Sequence, residues 1–115
     1  MISADDVRTL ALALPEAVEE PHFDRPSFRV RRRIFATLRE DEGCAVLKLP
    51  REELDLLVAS APDVFAATPW ASQGWTRVTL GRVEPDLFAE LLTDAWRGVA
   101  PRRLVAAYDA RDAGA

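Results

Sequence analysis

The sequence predicts an α+β domain with two layers, in which one five-stranded antiparallel sheet carries helices on one face. Three observations lead to this prediction. Apolar residues recur at helical spacing in three segments. Shorter segments alternate between apolar and polar residues, as strands do when only one face of the sheet is covered. The strands also fall into two hairpin groups, with a helix before, between and after them, so that the predicted order is α-β3-α-β2-α.

Capping residues and prolines bound the predicted helices. Ser3 is a suitable N-cap, and Pro15 ends the first apolar pattern because the residue before a proline avoids the helical region. Pro50 and Pro85 suit the first turns of the next two helices, where a missing N–H costs nothing. The helices are predicted over residues 4–14, 51–60 and 85–98, with one or two further turns over 102–108 and a frayed tail over 109–115.

Strict alternation predicts the strands. The first three form a meander, and the last two form a second hairpin. Residues 16–26 contain two prolines and no periodicity, and this predicts a loop. The strands are predicted over residues 27–31, 34–39, 44–49, 63–68 and 75–80, with turns at 31–33 and 41–43.

The alternation also predicts which side chains face the helices and which lie on the open face of the sheet. Phe28, Val30, Ile34, Ala36, Leu38, Leu47 and Leu49 are predicted to face the core. Arg29, Arg31, Phe35, Thr37, Arg39, Lys48, Trp75, Arg77 and Thr79 are predicted to face outward.

Length and composition indicate one globular domain over residues 1–115. No apolar run approaches the roughly 20 residues that cross a bilayer. The acidic N-terminus lacks the features of a signal peptide, so we expect a cytoplasmic protein that does not enter a membrane. The net charge of −4 argues against a general binder of polyanions, although the distribution of charge matters more than its sum.

The sequence contains no recognisable catalytic constellation. It has no nucleophile–base pair, no glycine-rich phosphate loop and no metal-ligand spacing, so we expect neither catalysis nor a cofactor. Cys44, the only cysteine, is read as a small residue at the start of a strand. His22 has acidic neighbours that could share a metal with it, but an isolated histidine among loop acids is more often simply solvated.

Five segments together carry a likeness to known proteins: residues 25–30 (RPSFRV), 34–36 (IFA), 47–50 (LKLP), 74–75 (GW) and 94–97 (DAWR). They resemble the MmcQ/YjbR-like family of small bacterial proteins over about residues 3–108. The resemblance implies the same α-β3-α-β2-α order. It also implies a DNA-binding role, proposed for the family by likeness to the "double wing" domain of a phage transcription factor.

Carried onto this chain, the double-wing proposal uses basic residues on the open face and in the first hairpin: Arg29, Arg31, Arg32, Arg33, Lys48 and Arg77. Two departures weaken it. An arginine at a turn position that requires positive φ costs about 1 kcal/mol. The second hairpin, at residues 71–74, contains no basic residue.

Two functions therefore remain open. The first is a regulatory module that binds double-stranded DNA through these basic residues. The second is a module for protein interaction or homodimer formation that uses the same sheet face, where Phe35 and Trp75 are the predicted aromatic contacts. A flat and positive face favours DNA, whereas a covered or concave face favours a partner or a ligand.

Overall fold

The computed structural model describes the backbone of residues 2–113 and the side chains of residues 2–111, and it has the predicted α+β architecture. Six antiparallel strands form one sheet in the order β1-β2-β3-β4-β6-β5. Short 3₁₀ helices follow β3 and β5. The elements are α1 (Ala4–Leu12), β1 (Val18–His22), β2 (Arg25–Val30), β3 (Arg33–Arg39), β4 (Cys44–Lys48), α2 (Arg51–Ser60), β5 (Phe65–Ala67), β6 (Trp75–Thr79), α3 (Pro85–Val99) and α4 (Arg102–Ala113).

The hydrophobic core lies between the sheet and α3, which packs across β3 and β4 while α1 packs against α3. Trp96 is fully buried, and its indole Nε1–H donates to the carbonyl of Pro15 over 3.0 Å. This bond satisfies the one polar atom of the largest core side chain. Helix α2 packs against β5, the strand at one edge of the sheet. The predicted two-layer arrangement is therefore confirmed.

Most predicted elements are confirmed, with the bounds of α2 correct to the residue. Ser3 caps α1, and its side chain and that of Asp6 each bond the other residue's backbone N–H. Helix α4 extends to Ala113, so it includes residues that were assigned to the tail, whereas residues 114 and 115 lie outside the described part of the chain. In the described residues, no helix has the length and apolar character to cross a membrane.

The sixth strand, β1, comes from the segment predicted to be a loop. It pairs along the outer edge of β2, with Pro21 opposite Pro26. The pair that closes a two-residue turn, here His22 and Arg25, is hydrogen-bonded, and the next pair is not, so the β1–β2 ladder needs neither missing N–H of Pro21 and Pro26. Proline is compatible with such an edge strand, and the rule that prolines indicate a loop therefore failed here.

A β-bulge overturns the prediction for two residues of β3. Phe28 pairs with Ala36 and Arg29 pairs with Ile34, so Phe35 is an extra residue between them. Phe35 consequently belongs to the core and is 0% exposed. Ile34 lies on the open face instead of the core. The prediction that Phe35 is an aromatic residue of the open face is wrong, because an inserted residue reverses the alternation on one side of it.

Two tight turns hold non-glycine residues at positive φ. Phe23 and Asp24 connect β1 to β2 at φ values of 50° and 66°, and Arg31 and Arg32 connect β2 to β3 at 50° and 73°. Positive φ at both central residues is the mark of a type I′ turn, which suits the twist of a hairpin but favours asparagine and glycine. Each of these residues carries a cost of roughly 1–2 kcal/mol.

We expect Gly74→Ala to destabilise the protein much more than Gly43→Ala. Both glycines have positive φ, 91° and 66°, but a Cβ at Gly74 would overlap the carbonyl oxygen of Leu49, whereas a Cβ at Gly43 meets nothing within 4 Å. Gly43→Ala should cost about 1 kcal/mol, and Gly74→Ala should cost a further 1–3 kcal/mol, roughly the penalty of overpacking. Urea unfolding of both variants measures the difference, and equal losses would contradict the tight approach of these two backbone segments.

Candidate functional site

The open face of the sheet is concave and contains a cleft of about 430 Å³. We call it the open-face cleft. Its floor consists of side chains from β3, β4 and β6, and its two walls come from the β1–β2 turn and from the segment that joins β5 to β6. Volumes of 300–1,000 Å³ are typical of ligand sites. The lining residues are His22, Phe23, Arg25, Ile34, Thr37, Arg39, Val46, Thr68, Trp70 and Trp75.

Exposed aromatic rings form the two walls. Phe23, in the β1–β2 turn, is 88% exposed, and Trp70 is 56% exposed. The backbone N–H of Trp70 donates to Thr68 Oγ1 over 3.1 Å, and the Thr68 hydroxyl donates to the carbonyl of Trp75 over 2.8 Å. These bonds hold the Trp70 segment against the start of β6. The cleft therefore presents large apolar surfaces to solvent at positions that the backbone fixes.

Asp41 and Glu42 form ion pairs with three arginines at one end of the cleft, and we call these two acids the carboxylate hub. Glu42 accepts from Arg77 Nη1 at Oε1 over 2.8 Å and pairs with Arg25 Nη2 at Oε2 over 2.9 Å. Arg25 also donates to Asp41 over 2.9 Å. Arg39 stands 4.0 Å from Glu42 Oε1, which is longer than a hydrogen bond. Two carboxylates of the short 3₁₀ helix thus neutralise much of the charge of three guanidinium groups.

Acidic residues also pair with two further members of the predicted basic set. Arg29 donates to Ser27 Oγ over 3.0 Å and lies 3.7 Å from Glu20. Arg31 forms a two-pronged contact with Glu16 over 3.0 and 3.3 Å. The hydrogen bond from Arg31 lowers the pKa of the Glu16 carboxyl, and the same bond raises the pKa of Arg31. Arg29, Arg31 and Arg77 are therefore engaged within the fold.

The remaining predicted basic residues lie toward the opposite end of the sheet. Arg32 and Arg33 are exposed at the β2–β3 turn. Lys48 ends β4 opposite Trp75, whereas the start of β4 pairs with the far end of β3. Within residues 2–111, no ion pair involves Arg32, Arg33 or Lys48. The structure therefore separates the six predicted residues into a paired group and an unpaired group.

Cys44 and His22 are the two side chains whose chemistry could suggest a reaction or a metal site. Cys44 is buried. Burial raises the pKa of its thiol, and Glu42 acts in the same direction against the nearby arginines. A raised pKa disfavours the nucleophilic thiolate. His22 packs its ring edge against Phe23 at the rim of the cleft. Among the described residues, no three His, Cys, Asp or Glu side chains come together in a way that could hold a metal ion.

Sequence reasoning placed Trp75, Thr37 and Arg39 on this face but missed other residues that shape the cleft. Phe23 and Arg25 were assigned to a loop, and Ile34 was assigned to the core. Trp70 lies between the two strands of the second predicted hairpin, where the sequence predicts no contact with the open face. An apolar residue at a solvent-exposed turn was the available signal for Phe23 and Trp70, because turns normally hold small or polar residues.

These features define a class: a small two-layer α+β domain whose antiparallel sheet is covered by helices on one face and carries an aromatic cleft on the other. The family model YjbR matches residues 12–98. The chain therefore belongs to the YjbR family, and the resemblance seen in its sequence is confirmed.

One similar solved structure is the crystal structure of Deinococcus radiodurans protein DR2400, described as having the family-model domain DUF419. It is 27% identical to this chain with a TM-score of 0.75, and the match covers 84% of this chain and 77% of that one. No curated protein matches the chain. The comparisons thus support the family and the fold.

We expect the Cys44 thiol to react slowly with Ellman's reagent in the folded protein and rapidly in urea. The side chain is 1% exposed and burial raises its pKa, and each unit of pKa above the working pH lowers the thiolate fraction about tenfold. Cys44 is the only cysteine, so the absorbance change reports this thiol alone. Equal rates in buffer and in urea would show that the thiol is open to solvent.

Proposed function

We propose that this protein is a protein-interaction module that performs no catalysis and uses the open-face cleft to hold an apolar or aromatic group of its partner. The observation that carries the proposal is the concave shape of the face together with the exposed rings of Phe23 and Trp70. Tryptophan and other aromatic residues in a desolvated pocket supply most of the binding energy in protein interfaces. The buried, weakly acidic thiol of Cys44 supports a binding role over a covalent catalytic one.

The charge arrangement on the same face also favours a protein partner over DNA. Nonspecific DNA affinity arises when basic side chains neutralise phosphates and release counterions. Arg25 and Arg77 already contact Glu42, and Arg29 contacts Ser27 and Glu20. A phosphate would have to displace these intramolecular carboxylates. A paired, mixed-charge rim around an apolar centre is instead the usual composition of a protein interface.

The interaction proposal predicts that Trp70→Ala weakens binding of peptides selected from a random display library against the wild-type protein. The loss should be about thirtyfold, which corresponds to about 2 kcal/mol for a hot-spot tryptophan. Fluorescence anisotropy with labelled peptides measures it. Leu56→Ala is the matched control, since Leu56 is 71% exposed on α2 and does not line the cleft.

Two outcomes of this experiment have different meanings. Selected peptides that bind Trp70→Ala and the wild type equally well would contradict a role for the cleft. If the occupant is a second copy of the chain, sedimentation velocity should show a concentration-dependent dimer that Trp70→Ala abolishes and Leu56→Ala retains.

We keep duplex DNA as a second candidate partner because of one observation. Arg32 and Arg33 are exposed at the tip of the β2–β3 hairpin and form no ion pair within residues 2–111, and Lys48 lies toward the same end of the sheet. A hairpin tip with unpaired arginines suits a contact with the phosphate backbone. This observation supports DNA contact by the β2–β3 hairpin only, because the second hairpin has no basic side chain at residues 71–74.

The DNA candidate predicts salt-dependent binding of a random-sequence duplex that requires Arg32 and Arg33. The wild type should bind with a dissociation constant on the order of 10⁻⁴–10⁻⁶ M at physiological salt and more tightly at low salt. The double change Arg32→Ala and Arg33→Ala should flatten the logarithmic salt slope by about two. Arg29→Ala, which removes an already paired arginine, is the control. Absence of any mobility shift at low salt would exclude this candidate.

A further inference from the structure

Arg39 differs from the other arginines around the carboxylate hub. Its side chain is 30% exposed and lines the open-face cleft. Its Nε–H is buried and has no hydrogen-bond acceptor in the described part of the chain. Arg25 and Arg77, by contrast, each donate to a carboxylate at 2.8–2.9 Å. The buried Nε–H is closed to a ligand as well as to water, but the terminal Nη groups of this half-exposed guanidinium have only a 4.0 Å contact with Glu42 and can take an acceptor from the cleft.

The hub gives Arg39 no close acceptor in its present arrangement, because the nearest carboxylate oxygen, Glu42 Oε1, lies 4.0 Å from Nη1. Arg77 occupies Oε1 of Glu42, and Arg25 occupies Oε2. Asp41 is held by Arg25. Three guanidinium groups therefore share the two carboxylates that they contact, and Arg39 is the group with the longest contact. A ligand carboxylate would give Arg39 the close partner that it lacks, because the planar guanidinium matches a carboxylate in both charge and geometry.

The other residues of the cleft indicate which kind of ligand would carry this carboxylate. Ile34, Val46 and Trp75 line the cleft beside Thr37, and Phe23 and Trp70 stand at its walls. These surfaces fit a flat or bulky apolar body. The last residue of a polypeptide, when it is aromatic, places a ring and a carboxylate on the same Cα and so satisfies both requirements with one residue.

We propose that the open-face cleft binds the carboxyl end of a partner chain that terminates in an aromatic residue, with Arg39 as the carboxylate receptor. This inference rests on the proposed interaction function and specifies the partner's chemistry. The ring packs among Ile34, Val46 and Trp75, and the preceding residues of the partner run between Phe23 and Trp70. A free aromatic acid offers the same terminal chemistry but cannot use these outer walls, so it should bind more weakly than a peptide.

The test uses the tryptophans of the wild-type protein as reporters. Trp70 and Trp75 line the cleft, whereas Trp96 is fully buried in the core. The probes are the pentapeptide Gly-Gly-Gly-Gly-Phe with an acetylated N-terminus, the same peptide with an amidated C-terminus, and N-acetylphenylalanine. Fluorescence titration should give about tenfold tighter binding of the free-acid peptide than of the amide, the usual scale for a charge-assisted hydrogen bond.

Arg39→Gln should remove the preference for the free acid and leave binding of the amide unchanged. The matched control is Arg51→Gln, which removes an exposed arginine that pairs with Asp55 on α2, away from the cleft. A preference that survives Arg39→Gln, or equal binding of acid and amide, would overturn the assignment of Arg39. If N-acetylphenylalanine and the peptide bind equally well, the proposal that the cleft holds the end of a polypeptide is wrong, and the occupant is a small aromatic acid.

The inference and the proposed function fail in different ways. If the amide peptide binds and Trp70→Ala weakens it while the acid has no advantage, the interaction module stands and the carboxylate receptor is rejected. If library-selected peptides bind Trp70→Ala as well as the wild type, the interaction function at this cleft is itself rejected. Far-ultraviolet circular dichroism of Arg39→Gln shows whether the variant is folded, and retained binding of the amide confirms an intact cleft.

Discussion

The packing of α3 across the middle of the sheet is the constraint on which the rest of the structure depends. Trp96, Phe88 and their neighbours on one face of this helix bury the inner face of β3 and β4. The other helices add to the same layer or to its end, so no described helix covers the second face. The side chains on that face must form their contacts with water, with each other or with a partner. Both the carboxylate hub and the open-face cleft can form because the helices cover only one face of the sheet.

Backbone strain is concentrated in the two tight hairpin turns and in the segment that joins α1 to β1. Phe23 and Arg31 each adopt positive φ in a two-residue turn where glycine or asparagine would be less strained, and Glu16 has a φ of 59°. The pair between Glu16 and Arg31 links two of these strained positions. Strain that a fold retains often marks a functional segment. Here the turn holding Phe23 projects an aromatic ring into solvent at the wall of the cleft, which is consistent with a binding role.

Electrostatics decides how the arginine-rich strands should be understood. Arg77 pairs with Glu42, and Arg31 pairs with Glu16, although these acids are distant in sequence. Arginines that the sequence alone predicts to contact phosphate therefore form ion pairs within the molecule. Exposed pairs of this kind contribute little to stability individually. They do, however, reduce the positive potential that long-range attraction of DNA requires. Two groups of cations remain in the described sheet: Arg39, whose contact with Glu42 is 4.0 Å long, and Arg32, Arg33 and Lys48 at the other end, which form no ion pair within residues 2–111.

The sequence by itself determined the helices, five of the six strands and most of the open face, because helical and strand periodicities are local properties that capping residues and prolines delimit. Only the tertiary structure revealed β1, since its pairing partner rather than its composition makes it a strand. It alone moved Phe35 into the core, because a bulge depends on register across two strands. It also decided which arginines are neutralised and that two distant turns enclose one cleft, since both depend on contacts between residues far apart in the chain.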